Sequence, residues 1–217
     1  MNVKKAILFA TILATSSLAN ATVITNLEDV TNGGGFFGQL TFDNNGANTV
    51  TVTADISSPI NTGITQGDIL GLWFDFSNFG ALTGTPTFGG STTVISSIFN
   101  ENSVGVSLGS NVNISGSGEN DWDLAVEVGE NGGAGGFIQT LSFDITITGL
   151  DETQFLAQRV GMRVQSIQGT AFGSGSSKLI GPSGAPNNTP VPEPASLLLF
   201  PLGLIGMRAL KRKVQTA

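Results

Sequence analysis

Residues 141–148 read Leu-Ser-Phe-Asp-Ile-Thr-Ile-Thr and alternate strictly between apolar and polar side chains. Successive side chains of a β-strand point to opposite faces, so this period of two predicts a strand with one face in a core and one in solvent. Residues 49–56 and 121–128 alternate in the same way and contain β-branched or aromatic side chains, which favour strands. The three stretches together predict an all-β fold.

Several other short stretches fit the same strand pattern. They lie at residues 39–43, 69–76, 94–99, 104–108, 160–166 and around 177–180. Segments rich in glycine, asparagine or proline predict tight turns between the strands. These turns are at residues 44–46, 84–86, 88–90, 116–118 and 131–133. Residues 150–157 predict one short helical turn with Asp151 as its N-cap.

About eight or nine short strands joined by such turns predict a single antiparallel β-sandwich of the jelly-roll type. A β-solenoid is the alternative architecture, but the sequence has no fixed short repeat of the kind that a solenoid needs. Low charge and 30 glycines are also typical of disordered chains. The regular alternation of apolar residues argues against disorder, and we predict one folded β domain over residues 22–180.

Charge is distributed unevenly along the chain. The formal net charge is −7, yet residues 22–190 hold three cations against fifteen acids, a net charge of −12. A surface this anionic repels phosphate backbones, so we expect no nucleic-acid partner. Arg159 and Arg163 lie four residues apart on a strand-like segment. We therefore predict that both project to one side and pair with acids.

The chain contains no cysteine, histidine or tyrosine. This composition excludes disulfides, thiolate metal sites, cysteine nucleophiles and serine–histidine triads. It also removes the commonest general base and the commonest transition-metal ligand. We therefore predict no catalytic residue, no metal site and no cofactor.

The N-terminal residues have the layout of a secretory signal peptide. Two lysines precede an apolar run at residues 6–13, and Ala19 and Ala21 place small residues where a signal peptidase requires them. A membrane anchor is the alternative, but a bilayer-spanning helix needs about 20 apolar residues. We predict a signal peptide over residues 1–21, which signal peptidase removes so that the mature chain begins at Thr22.

A second targeting signal lies in residues 191–217. It joins the motif Val191-Pro192-Glu193-Pro194 to an apolar run at residues 195–207 and then to a basic cluster. The basic residues are Arg208, Lys211, Arg212 and Lys213. Continued as a helix through residue 210, the run would reach about 24 Å, short of the roughly 30 Å hydrocarbon core, which predicts a marginal and transient anchor. The positive-inside bias predicts that the basic cluster stays cytoplasmic and the domain lies outside.

The residues before the apolar run are suited to cleavage. Pro192 and Pro194 keep the backbone extended and deny it to helix or sheet, so Glu193 is presented on a stiff segment at the outer membrane boundary. An extended segment needs no unfolding before it enters a protease. Residues 181–190 are rich in glycine, asparagine and proline and predict a flexible linker to the β domain.

The segment at residues 191–217 resembles the PEP-CTERM sorting domain. The resemblance implies that Pro192, Glu193 and Pro194 are the recognition motif of exosortase, a membrane-embedded cysteine transpeptidase-like enzyme that removes the tail. It also implies transient insertion in the inner membrane of a Gram-negative bacterium, then release to the cell surface or the secreted matrix. Proteins of this family are associated with extracellular polysaccharide and biofilm. A single-span anchor with a proline-rich stalk is the alternative.

Within the β domain, the densest acidic patch is at residues 119–130. Asp121, Asp123 and Glu127 are predicted to share the polar face of one strand. Their oxygens suit Ca²⁺, but the spacing matches no EF-hand loop and no calcium-binding nonapeptide repeat, so we interpret the patch as a solvated strand face.

Two tryptophans could stack on sugar rings. Trp73 is the better surface candidate, because Trp122 alternates with other apolar residues of a predicted strand. Tryptophan is highly buried on average, so we expect both side chains to lie in the core.

The leading hypothesis is an exported, non-enzymatic protein with a structural or adhesive role, within polysaccharide, at the cell surface or in the matrix. A carbohydrate-binding or calcium-dependent adhesion module is the alternative. A glycoside hydrolase comes third, because fifteen acids supply many carboxylate pairs but no motif selects one of them.

Overall fold

The structure is a computed structural model that describes residues 22–32, 35–58, 60, 63–109, 112–130, 136–170 and 173–181. Its regular elements in these ranges are β-strands and two short 3-10 turns. The strands are β1 (Thr22–Asp29), β2 (Phe36–Asn44), β3 (Thr49–Asp55), β4 (Gln66–Phe74), β5 (Thr83–Gly89), β6 (Ser96–Val104), β7 (Ser107–Leu108), β8 (Val112–Asn113), β9 (Trp122–Glu127), β10 (Thr140–Thr148), β11 (Val160–Thr170) and β12 (Gly173–Ile180). The 3-10 turns are Phe79–Ala81 and Glu152–Phe155.

Ten strands form one antiparallel sheet in the order β5-β10-β3-β2-β1-β12-β11-β4-β9-β6, and β7 pairs with β8. The last strand lies in the middle of the sheet, where Ile180 is opposite both Glu28 of β1 and Gly161 of β11. The two edge strands, β5 and β6, follow each other along the chain. Their connection bonds to both sides of the opening, through Thr92 N–H to Ser142 O at 2.8 Å and Ile95 N–H to Glu127 O at 2.7 Å. The sheet therefore nearly closes on itself.

The inner face of the sheet encloses one large apolar core. On β10 and β3, Phe143 lies opposite Val52 and both are buried, while Asp144 lies opposite Thr51 on the outer face. The centre of the core is aromatic, with Phe42 stacked on Phe155 at 4.2 Å between ring centroids and Phe74 edge-on to both. Aromatic pairs of this kind add to the stabilisation that burial provides.

A second apolar cluster covers the outer face of β4 and β9. Residues 104–109 and 112–114, which include β7 and β8, fold over Trp73 and Trp122. The approach is close, because a Cβ added to Gly161 of β11 would lie 3.0 Å from Ile114 Cδ1 and 3.2 Å from the Trp122 ring. This half of the sheet is thus buried on both faces, whereas the half around β3 exposes one face to solvent.

The predicted all-β class and single antiparallel domain are confirmed. The predicted N-cap is also confirmed, because Asp151 accepts a hydrogen bond from Thr153 N–H at 2.9 Å at the start of a short helical turn. Two details of the prediction are wrong. The predicted turn at 84–86 lies inside β5, which is an edge strand with little buried surface and so lacks an apolar alternation, whereas the predicted turn at 88–90 falls where β5 ends. Strand β1 was not predicted, because its core face carries Thr25 and Asp29 beside Val23 and Leu27.

The leader (residues 1–21), the linker from residue 182 and the sorting segment lie outside the described residues. Among the residues that the structure does describe, no helix has the length and apolar character needed to span a membrane.

Replacing Phe155 by Ala tests the aromatic centre of the core. The ring is fully buried and contacts Phe42, Phe74 and Phe76. We expect Phe155→Ala to lower the free energy of unfolding by about 3–5 kcal/mol in urea denaturation, because it leaves a cavity. The neighbouring Leu156 is 45% exposed. Leu156→Ala is the matched control and should change stability by less than about 0.5 kcal/mol; equal losses in both variants would contradict this packing.

Candidate functional site

The acidic patch at residues 119–130 does not form a solvated strand face. Asp123 is 3% exposed, and its two oxygens accept hydrogen bonds from Phe76 N–H at 2.9 Å and Asn102 N–H at 2.8 Å. Glu127 accepts from Ser96 Oγ at 2.6 Å. The predicted shared polar face is wrong, because β9 lies between β4 and β6 and the second apolar cluster covers its outer side.

The patch also does not converge on a cation. In the described part of the chain, no group of three or more acidic side chains is arranged to hold a metal ion. Asp123 instead ties together two loops, the one after β4 and the one within the irregular part of β6. Asp121 lies just before β9 in the left-handed backbone region, with φ of 61°.

Arg159 organises the neighbouring surface. Its Nε contacts Asp75 Oδ2 at 2.5 Å and its Nη1 contacts Glu119 Oε2 at 2.6 Å. Its other hydrogen bonds go to the carbonyl oxygens of Asn120 and Asp121, both at 3.2 Å. The guanidinium carbon lies 4.8 Å from the centre of the Trp122 ring, within the range of a cation–π interaction. One cation therefore fixes the loop before β9 against the end of β4.

The electrostatics of this cluster are those of an ion pair in a partly buried setting. Burial alone would lower the pKa of the Arg159 guanidinium, but the carboxylates of Asp75 and Glu119 raise it above its usual value. Burial raises the pKa of the Asp75 carboxyl, and Arg159 opposes that rise. The predicted pairing of Arg159 with acids is confirmed.

Arg163 behaves differently from Arg159. It is half-buried, burial lowers its pKa, and its Nε has no hydrogen-bond partner within the described part of the chain. None of the acids in the described ranges lies within ion-pair distance of it. The predicted pairing of Arg163 with an acid is therefore wrong.

A polar cleft of about 430 Å³ lies beside Asp123. One wall is the loop after β4, with Ser77, Asn78 and Phe79, and the other is the turn at Glu101 and Asn102 of β6. The remaining lining residues are Asp75, Phe76, Gly80, Asp123 and Gln158. We refer to these ten residues as the Asp123 cleft.

The Asp123 cleft offers hydrogen bonds rather than acid–base chemistry. Both oxygens of Asp123 are occupied by backbone N–H groups, and Asp75 is held by Arg159. Glu101 is exposed and is the one remaining carboxylate of the lining. Glycoside hydrolysis needs two carboxyl groups that act on the same bond, and here two of the three already have structural partners.

A second groove of about 420 Å³ lies between the two edges of the sheet, with Asp68 at its base and Ile95, Val128 and Ile138 along it. Asp68 is 1% exposed and accepts from Ile138 N–H at 3.1 Å and Gln165 Nε2 at 3.3 Å. Burial raises the pKa of the Asp68 carboxyl, and these hydrogen bonds oppose the rise only in part.

Both tryptophans are core residues, as expected. Trp73 and Trp122 are fully buried, and Trp73 Nε1 donates to Gly105 O at 3.1 Å. Neither ring is placed to stack on a sugar. The partly exposed aromatic side chain in the Asp123 cleft is Phe79, which sequence reasoning did not single out.

The predicted targeting residues lie outside the described residues. They are Ala19, Ala21, Pro192, Glu193, Pro194, Arg208, Lys211, Arg212 and Lys213. For the C-terminal group, comparison with known families is informative, because residues 190–213 match the family of the PEP-CTERM protein-sorting motif. The chain carries a PEP-CTERM sorting motif.

The PEP-CTERM motif indicates an exported protein that is sorted by exosortase, with exosortase as its processing partner and a transient stay in the membrane. The match covers the sorting segment and not the β domain. No curated protein and no solved structure matches the chain.

Replacing Asp123 by Asn tests its role as the tie between the two cleft loops. An amide has one acceptor oxygen, so either Phe76 N–H or Asn102 N–H would face an NH₂ group. We expect Asp123→Asn to lower the free energy of unfolding by about 1–3 kcal/mol. Asp121→Asn is the matched control and should change stability by less than about 0.5 kcal/mol, because asparagine tolerates positive φ. Indistinguishable urea midpoints for the two variants would refute this role.

The raised pKa of Asp68 predicts a pH dependence of stability. A folded-state pKa above the unfolded value means that the folded state binds the proton more tightly, so the charged carboxyl destabilises the fold at high pH. As the pH falls through the folded-state pKa of Asp68 toward the ordinary pKa near 3.8, the carboxyl becomes protonated and the protein regains this stability.

We therefore expect the free energy of unfolding of Asp68→Asn, taken relative to that of the wild type, to be highest at pH 8 and to fall on acidification, because only the wild type regains stability when the carboxyl is protonated. Urea denaturation of both proteins from about pH 8 to 4 measures it. A difference that stays constant, or grows toward low pH, would contradict the raised pKa.

Proposed function

We propose that the mature chain is a non-enzymatic structural or adhesive protein of the cell surface or extracellular matrix. The PEP-CTERM motif supports delivery to that location. For the β domain itself, the supporting observation is that most of its acidic side chains accept hydrogen bonds within the fold.

Ten of the fifteen acids in residues 22–190 accept hydrogen bonds that hold strands and turns together. Asp29, for example, accepts from Thr31 N–H at 2.8 Å and Asn32 N–H at 3.1 Å. Asp55 closes a turn through Ser57 N–H at 2.7 Å. Carboxylates engaged in this way brace the fold and are not free to act as general acids or nucleophiles.

The three cations of the domain are also paired, hydrogen-bonded or partly buried within the fold. Arg159 is held in two ion pairs, Lys178 donates to Ser115 O, and Arg163 is half-buried. The surface charge of the domain is therefore dominated by acids, which disfavours phosphate backbones and anionic lipid as partners. A rigid, anionic, hydrogen-bonded domain suits a hydrated extracellular setting.

Carbohydrate binding is the second candidate function. It is favoured by the Asp123 cleft, which is concave, polar and lined in part by the side chains of Asn78, Phe79 and Glu101. Such a site would give the proposed adhesive role a direct contact with matrix polymer.

Substitution of Glu193 tests the proposed route to the cell surface. In the native host we expect a tail-tagged Glu193→Ala protein to keep its tail and to remain in the inner-membrane fraction. The wild-type protein should lose the tag and appear in the surface or matrix fraction, as followed by immunoblotting of cell fractions.

Thr189→Ala is the control, because it changes a linker residue just before the motif and should be processed normally. The proposal is overturned if Glu193→Ala leaves processing and final location unchanged. It is also overturned if the wild-type protein stays in the inner membrane with its tail attached.

A further inference from the structure

We propose that the Asp123 cleft binds a single neutral sugar residue of a polysaccharide. The inference rests on the proposed adhesive role and assigns a ligand class and a set of residues to it. It follows from the shape of the cleft, from the way its walls are fixed and from the chemistry of its lining.

The size of the cleft suits a small ligand. Its volume of about 430 Å³ falls within the range of small-molecule sites and is large enough for a hexose unit. The two walls belong to different strands, so a ligand between them would contact the loop after β4 on one side and β6 on the other.

The walls are fixed before any ligand arrives. Asp123 bonds to the backbone of both walls, at Phe76 and Asn102. Gln154 Oε1 accepts from Ser77 Oγ at 3.1 Å and from Asn78 N–H at 2.9 Å, so the first wall is bonded twice more. A site held in this way loses little conformational entropy on binding.

The lining matches a polyhydroxylated ligand. Glu101 and Asn78 are exposed, and their side chains supply carboxylate and amide groups that hydrogen-bond to hydroxyls. Phe79 is partly exposed and is held by stacking on Phe99, with 4.8 Å between centroids. A ring fixed in this position gives the apolar face of a sugar a surface to pack on.

Charge selects among sugars. The lining includes Asp75, Glu101 and Asp123, and Arg159, which contacts Asp75, is already paired with Asp75 and Glu119. A uronic acid or a sulfated sugar would place a negative charge beside these carboxylates at a cost in binding free energy. The ligand class is therefore a neutral sugar that is recognised through its hydroxyls.

Affinity electrophoresis of the processed, exported protein tests this assignment. The gels contain dextran, mannan or galactomannan as neutral polymers, or polygalacturonate as the anionic polymer, and each gel is run with and without EDTA. We expect retardation by at least one neutral polymer and none by polygalacturonate.

Glu101→Ala and Asn78→Ala should each weaken binding by about tenfold or more, since each removes a hydrogen bond to the ligand. Glu28→Ala removes the same charge from an exposed position of β1, outside the cleft, and should bind as the wild type does.

Each other outcome overturns the assignment. These outcomes are no retardation in any neutral gel, retardation by polygalacturonate, retardation that Glu101→Ala and Asn78→Ala leave unchanged, and retardation that EDTA abolishes, which would indicate a metal bridge. Fractionation of the same variants in the host separates this result from the proposed function. A protein that reaches the matrix without binding a neutral polymer refutes the cleft assignment alone, whereas failure of export and processing refutes the proposed function.

Discussion

The pairing of the first and last strands of the domain is the constraint on which the rest of the structure depends. Strand β12 lies between β1 and β11, so the sheet is complete only when the chain has been made and exported as far as Gly181. Gly181 N–H donates to Val160 O at 2.7 Å, and a Cβ at this position would lie 2.4 Å from Val160 Cγ2. The end of the sheet is therefore fixed in the middle of the fold. The Pro-Glu-Pro motif at residues 192–194 follows it, so a cut there keeps every strand that the structure describes.

The β domain and the C-terminal tail carry opposite charge. Residues 22–190 carry a net charge of −12, and the three cations among them are paired, bonded to backbone or half-buried. The basic cluster of the tail is what would hold the chain at the anionic cytoplasmic face of a membrane. Separation of the two parts leaves a domain with no electrostatic attraction to anionic lipid. The same acids that set this charge also accept hydrogen bonds that hold turns together, as Asp29 and Asp55 do.

The sequence predicted the parts of the fold that have one buried and one solvated face. Residues 141–148 and 49–55 alternate cleanly because β10 and β3 each have a core side and a water side. The same rule failed for β9, because residues 104–109 and 112–114 cover its outer face, and Asp123 is buried where it bonds to Phe76 and Asn102. No local pattern marks such a covering segment. The rule also failed for β5, because most of its side chains are exposed and the strand therefore shows no alternation of apolar and polar residues.

The Asp123 cleft could not be predicted because long-range contacts create it. Asp123 lies 47 residues from Phe76 and 21 from Asn102, and Arg159 lies 84 from Asp75. The sorting motif is the opposite case, because its recognition depends on a contiguous stretch that needs no fold. The mass of the mature protein recovered from its native host tests most directly the claim that the folded domain is cut free of the tail. We expect a mass that corresponds to a chain that begins at Thr22 and stops at or near Pro192–Pro194. A mass that still includes Ala217 would contradict this claim.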